Sequence, residues 1–240
     1  MSRLLSLRHF LKRLLTPVTL RVRGGPLKGL RWSPASGSRF VRGDYESYNV
    51  PAFLEAVNRG EVVYDVGAHV GYFTAIASLR VGPAGRVVAF EPRPVNLGLL
   101  RRHVEANRLE NVTVVDAGVG RESGEAHFEE GTGSGTGKIS RTGRLTVRVV
   151  RLDDVVGQEG FPPPDFIKID VEGGELDVLE GARHLLERGR PRLLVGIHGP
   201  EMRRECTALL EELGYELRTL RESDDAGNTD ILARPVGSGT

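Results

Sequence analysis

Three charges on one side of one strand, and a histidine at the tip of another, are the residues of this sequence best placed to exchange a proton with a bound molecule. In Asp165-Phe166-Ile167-Lys168-Ile169-Asp170-Val171-Glu172-Gly173-Gly174-Glu175, the residues Lys168, Asp170 and Glu172 fall on alternate positions. Alternate positions share a face while a strand persists. Three charges there, at the carboxyl edge of a buried strand, are hard to attribute to packing. The apolar run from Arg192 to Ile197 ends at His198-Gly199-Pro200. If the two strands are neighbours, His198 stands beside Asp170 and Glu172. Such groups can deprotonate an acceptor. Oxygen and imidazole ligands also suit Mg²⁺, Mn²⁺ or Fe, but nothing in the spacing demands a metal and none is expected. His198 has a plainer alternative, as a cap of the next helix or a partner for a carbonyl.

A second set of residues points to a nucleoside. The run Val62-Val63-Tyr64-Asp65-Val66-Gly67-Ala68-His69-Val70-Gly71 is an apolar strand turning through glycine into a helix, where free backbone N–H groups can face a ligand. The next strand, Val87-Val88-Ala89-Phe90-Glu91, ends in a carboxylate that can accept from both hydroxyls of a ribose. A pyrophosphate turn wants G-x-G-x-x-G, and His69 stands where the second glycine belongs. The remaining D-x-G-x-x-x-G suits a ligand without phosphates, such as S-adenosylmethionine. His69 lies in the turn itself, where packing and cofactor contact compete for it. A third strand tip carries Asp116-Ala117.

Strands at 62–67, 86–91 and 112–117 alternate with helices at 71–80 and from Pro94 to about Arg108, which argues for a parallel sheet. The alternation breaks at Gly124–Glu130 and Leu145–Leu152, read as a β-hairpin around the glycine-rich 131–137, a mobile loop near the site mouth. A helix over about 175–188, a strand from Arg192 to Ile197 and a helix over about 201–213 follow. Strands Tyr215–Leu220 and Thr229–Ala233 then form an antiparallel edge. Ahead of this domain, 62–234, a lead-in of residues 18–61 holds a hairpin and a short helix from about Pro51 to Asn58. In its loop Tyr45 and Glu46 are candidates for covering a ligand, with a solvated turn equally open. Residues 235–240 read as a disordered tail.

Composition sets the bounds. With 33 Lys and Arg against 32 Asp and Glu, a formal charge of +1 gives no electrostatic case for nucleic acid. The single cysteine, Cys206, excludes an internal disulfide and a cysteine-built zinc site; its helical neighbours Leu209 and Leu210 make it a core or boundary residue. Residues 1–17 read as a basic amphipathic helix ended by Pro17, packed on the protein or a partner, or touching an anionic membrane through residues 1–15. No apolar run is long enough for a signal peptide or a membrane span, so a cytoplasmic protein is expected.

These motifs together resemble the FkbM family of S-adenosylmethionine-dependent methyltransferases. The resemblance is carried by Gly43-Asp44-Tyr45-Glu46, the Asp65–Thr74 run, Phe90-Glu91-Pro92, Leu152-Asp153-Asp154 and Lys168–Gly173, and covers about residues 24–220. It departs from the family at Asp44, where Thr is frequent, and at Gly174, where Ala is usual. It implies the class I methyltransferase (Rossmann-like) α/β fold: a seven-stranded, mostly parallel sheet with its last strand antiparallel. The activity implied is methylation of a hydroxyl on a sugar, glycolipid or natural product, so the expected partner is a small-molecule or glycan acceptor. Strand-tip position and the resemblance together place Asp65, Gly67 and Gly71 at the amino acid end of the cofactor, Glu91 at its ribose, and Asp116 with Ala117 at its adenine, with Ala68 a further cofactor-binding residue of the turn. The candidate base is His198 or Asp170, with Glu172 orienting the acceptor and Lys168 fixing the carboxylates. The competing readings are an NAD-dependent oxidoreductase, disfavoured by His69, and a binding module without activity.

Overall fold

The structure, a computed structural model, describes residues 18–46, 48–130, 137–140, 143–221 and 227–237. The expected helix at 1–17, most of the glycine-rich loop and residues 222–226 and 238–240 lie outside these.

The strand β3, Val62–Val66, is the centre of the molecule because its residues are apolar on both faces. Val63 packs to one side with Phe53, Phe73, Phe166 and Leu194. Tyr64 and Val66 pack to the other with Ile167, Ile169, Leu179 and Leu210. Around β3 the sheet has the order β12-β13-β11-β10-β3-β4-β5, with β4 at Arg86–Phe90, β5 at Val112–Val115, β10 at Phe166–Ile169, β11 at Arg192–Ile197, β12 at Tyr215–Arg221 and β13 at Thr229–Pro235. β13 pairs antiparallel with both β11 and β12, and the other pairs are parallel. This is the expected seven-stranded class I methyltransferase architecture, with its last strand antiparallel. That strand continues through Pro235, which is buried, so residue 235 belongs to the sheet and not to the expected tail.

Register puts chemistry side by side. Lys168 on β10 stands directly opposite Asp65 on β3, and β10 and β11 are neighbours. Gly67 follows β3 with φ of 78°, and a Cβ there would lie 1.9 Å from the carbonyl oxygen of Asp170. Only glycine therefore lets the β3 turn press against the end of β10.

Three expected elements differ. The helix over 175–188 is two, Glu175–Gly181 and Arg183–Arg188. The break at Ala182 starts a new helix whose N-terminus is satisfied from outside, since the Asp153 carboxylate accepts from the N–H groups of His184 and Leu185 at 3.2 and 2.9 Å. The inserted hairpin is part of a four-stranded sheet, β6-β9-β7-β8, with β6 at Gly118–Val119, β7 at Gly124–Glu130, β8 at Gly137–Ser140 and β9 at Leu145–Val150. The chain leaves β9 for a short helix at Leu152–Gly157, so Leu152 opens a helix instead of ending a strand. The lead-in holds the two-residue ladder of β1, Leu20–Arg21, and β2, Arg31–Trp32, then unexpected helical turns at Pro34–Ser36 and Ser38–Arg42 before the helix Val50–Ala56.

A buried imidazole is among the ties between the lead-in and the domain. His103 stacks on Trp32 with ring centroids 3.8 Å apart. It accepts from the Ser33 N–H through Nε2 at 3.0 Å and faces the Val70 carbonyl through Nδ1 at 2.8 Å.

Candidate active site

At the carboxyl ends of β3, β4 and β10 lies a cavity of about 370 Å³, within the range of small-molecule sites. Its floor is Gly67 and His69 on the β3 turn and Phe90, Glu91 and Asn96 beside β4; Gly118–Gly120 form one wall, Asp170–Gly174 another, and Tyr45 with Glu46 close it from the lead-in. Three of the non-glycine residues with positive φ line it: Glu46 at 40°, His69 at 53° and Glu172 at 60°. Each costs on the order of 1–3 kcal/mol, and strain of this kind clusters at functional sites.

Glu91 is almost wholly buried. Its Oε2 accepts from the His69 N–H at 2.8 Å, and its Oε1 accepts from the Arg93 N–H at 2.9 Å and from Asn96 at 3.3 Å. Burial outweighs these donors and pushes its pKa up to about 7. These three bonds leave one lone-pair site, on Oε2, for a ribose hydroxyl.

Lys168 is buried between two carboxylates, 3.3 Å from Asp170 Oδ2 and 3.7 Å from Asp65 Oδ1, with its ammonium 5.3 Å from the Phe73 ring centroid. Burial opposes its charge, but Asp170 and Asp65 outweigh burial and raise its pKa. Asp65 itself is turned inward, where Oδ2 accepts from the Thr74 hydroxyl at 2.6 Å; burial raises its pKa.

His198 meets three carboxylates. Its Nδ1 is 2.9 Å from Glu175 Oε1, and its Nε2 is 3.6 Å from Glu172 Oε2 and 3.9 Å from Asp170 Oδ1. Burial lowers its pKa, yet Glu175, Asp170 and Glu172 together lift it to about 9. Burial works against ionised Asp170 as well, but Lys168 and His198 hold its pKa below the ordinary value. Burial and the neighbouring carboxylates raise the pKa of Glu46 and of Glu172, against the opposing pull of Lys168 and His198 respectively. A second, polar cavity of about 120 Å³ opens on the far side of these groups, lined by Tyr48, His198, Arg221 and Asp230 and sharing Glu46, Asp170 and Glu172 with the first.

A nucleoside-sized cavity beside a buried strand-tip carboxylate, joined to a cluster of titratable groups, fits group transfer. The sequence matches the methyltransferase FkbM domain over residues 65–217, more than half of the chain. The chain belongs to the FkbM methyltransferase family. It is therefore an S-adenosylmethionine-dependent methyltransferase. It is 30% identical over 192 residues to the hexuronic acid methyltransferase AglP of Haloferax volcanii, covering 78% of this chain and 77% of AglP. It is 32% identical over 155 residues to the 31-O-demethyl-FK506 methyltransferase FkbM of Streptomyces tacrolimicus, covering 51% of this chain and 59% of that protein. The crystal structure of an FkbM methyltransferase from Methylobacillus flagellatus shares the fold at a TM-score of 0.52 and 21% identity, over 77% of this chain and half of that one.

Within this FkbM enzyme the expected site residues divide. Gly67, Glu91, Asp170, Glu172, Tyr45 and Glu46 line the main cavity, and His198 lines its polar neighbour. Lys168 and Asp65 stand behind the wall as an ion pair. Gly71, with φ of 90°, and Ala68 shape the turn without lining either cavity. Asp116 and Ala117 are not brought to the main cavity: the Asp116 carboxylate is exposed and 3.6 Å from Arg101, and Ala117 is in the core. Gly118–Gly120 and Asn96 occupy that wall instead. A two-residue strand such as β6 leaves no periodicity to read, so its glycines gave no signal in the sequence. Glu175 was visible only as one more charge after the Glu172 turn; nothing in its spacing tells that it faces His198. Among the described residues no helix is long and apolar enough to cross a membrane.

Proposed function

We propose that the enzyme transfers the methyl group to a hydroxyl of a sugar or sugar-bearing natural product. The observation that carries this reading is the Asp170, Glu172 and His198 cluster at the junction of the cofactor-sized cavity and the small polar one. A hydroxyl acceptor must lose a proton as it is methylated, and this cluster is where a proton acceptor is provided. The relatives support the class: AglP is named for hexuronic acid and the Streptomyces enzyme for 31-O-demethyl-FK506.

Glu91 accepts from the ribose through Oε2, the Gly67–His69 turn borders the amino acid end, and the Gly118–Gly120 backbone borders the adenine. When bound, S-adenosylmethionine supplies a methyl group already activated by its sulfonium. The residues of this chain supply alignment and proton removal. Tyr45 and Glu46 close the cavity over the reactants. Lys168 holds Asp170 in place, Glu172 orients the acceptor, and Asp170, kept ionised by Lys168 and the His198 imidazolium, takes the proton.

The test is incubation of purified protein with methyl-labelled donor and a panel of uronic, neutral and macrolide-type acceptors, read by mass spectrometry. Label on an acceptor oxygen is the expected result. Label confined to nitrogen or carbon acceptors overturns the reading. His198→Ala should lower turnover by about 10²-fold or more while donor affinity, measured by calorimetry, stays as in the parent.

A further inference from the structure

We propose that Asp170, Glu172 and His198 bind one divalent cation of the Mg²⁺, Mn²⁺ or Fe²⁺ class where the two cavities meet. One donor atom from each residue lies within 4.8 Å of the others. His198 Nε2 is 3.6 Å from Glu172 Oε2 and 3.9 Å from Asp170 Oδ1. Bonds of about 2.0–2.2 Å to oxygen and nitrogen fit an ion at the centre of such a triangle with small adjustments. Two carboxylates and one imidazole are the ligand types these ions select.

The ligands are held from behind. Asp170 commits Oδ2 to Lys168 at 3.3 Å, and its Oδ1 faces His198. His198 commits Nδ1 to Glu175 at 2.9 Å, which leaves Nε2 toward the other two ligands. A carboxylate behind a ligating imidazole fixes its tautomer and raises its basicity, the common outer arrangement of metal-bound histidines. Glu175 is built for that task. It is fully buried, its Oε1 also accepts from the Gly173 N–H at 3.0 Å, and its Oε2 has no hydrogen-bond partner among the described residues. A wholly buried carboxylate with one oxygen unmet thus stands directly behind the imidazole.

Access fits as well. Asp170 and Glu172 line both cavities, so the remaining positions around an ion would open to solvent and to an acceptor. For its role in the reaction the inference rests on the hydroxyl-methylating reading above. There the ion would reduce the cost of removing the hydroxyl proton. The oxygen pair then forms the new C–O bond, the C–S bond breaks with its pair going to sulfur, and the proton leaves to solvent.

The experiment uses the full chain, treated with EDTA, dialysed, and titrated with Mn²⁺ alone, following loss of the free-ion electron paramagnetic resonance signal. Saturable binding of one ion per chain is expected. His198→Ala should weaken it by at least about tenfold, and Glu175→Gln, which leaves all three ligands in place, by about tenfold. Circular dichroism checks folding, and Glu172→Gln replaces His198→Ala if the latter does not fold. Absence of saturable binding by the parent protein, or binding unchanged in the folded ligand variants, overturns the proposal. Calorimetry with S-adenosylmethionine on the same stripped protein keeps the two readings apart. Donor binding without Mn²⁺ binding defeats the ion alone, and Mn²⁺ binding without oxygen methylation defeats the proposed function alone.

Discussion

Glu91 is held in an environment that favours its neutral form, although its proposed task requires it to accept hydrogen bonds. The cause is burial, and its pKa of about 7 places the change of charge in the working range. The ionised form accepts on both oxygens, whereas the neutral form must donate from one of them. S-adenosylmethionine affinity is therefore expected to fall as pH drops through about 7, and Glu91→Ala should weaken it at least tenfold, on the order of 1.4 kcal/mol, and flatten that dependence. Calorimetry at several pH values decides it; affinity that ignores pH in the parent protein removes Glu91 from the ribose. Gly67 has a single permitted identity. Its φ is 78°, and an added Cβ would collide with backbone, not with a movable side chain. Gly67→Ala should cost more than about 2 kcal/mol of stability, read from denaturant unfolding, because strain at the glycine and displacement of the Asp170 loop act together.

At the scale of elements, what could be read from the sequence was what repeats. Val62–Val66, Arg86–Phe90 and Phe166–Ile169 are apolar runs long enough to be buried strands, and the helices between them fix a parallel order. The candidate groups at their tips followed from position, which is why Glu91, Asp170 and His198 were legible. Asp116, chosen by the same rule, does not line the main cavity: β5 ends at Val115, and the Asp116 carboxylate is exposed beside Arg101. Nor does local pattern show that Asp153 interrupts the helix after Glu175, since the two are distant in sequence. Asp153→Ala removes the acceptor for two N–H groups of Arg183–Arg188 and should cost about 1 kcal/mol, lowering the melting temperature by roughly 2–4 °C. The clamp between the lead-in and the helix Pro94–Ala106 gives a prediction of opposite character. Burial lowers the His103 pKa to about 4. The folded state thus binds this proton less readily than the unfolded chain, near 6.5. The associated stability is complete above about 6.5 and is lost as pH falls toward 4, on the order of 3 kcal/mol in all. Unfolding measured across that window should show the loss, and His103→Gln should reduce its steepness.

For the whole molecule, the lead-in and the methyltransferase sheet share one cavity, so ligand binding and global stability are linked. Tyr45 stacks on Phe40 at 4.0 Å and meets the edge of Tyr72, which ties the cover of the cavity to both the lead-in and the helix Tyr72–Val81. A ligand held only in the folded state at a hundred times its dissociation constant adds about 2.7 kcal/mol. For a chain of this size that corresponds to a rise in melting temperature of roughly 5–10 °C. S-adenosylmethionine and its demethylated product should both produce it, and amide exchange over 38–56 should slow in step, since closing the cavity orders the segment that carries Tyr45 and Glu46. NAD should produce neither effect. Its pyrophosphate needs a close backbone approach where His69 stands in place of glycine, and His69 already adopts φ of 53° with its N–H given to Glu91. A thermal shift with NAD equal to that with S-adenosylmethionine would mean that the turn accommodates phosphates after all. A shift with S-adenosylmethionine that leaves exchange at 38–56 unchanged would mean that the lead-in is a fixed wall, with Tyr45 and Glu46 shaping the cavity without closing on its contents.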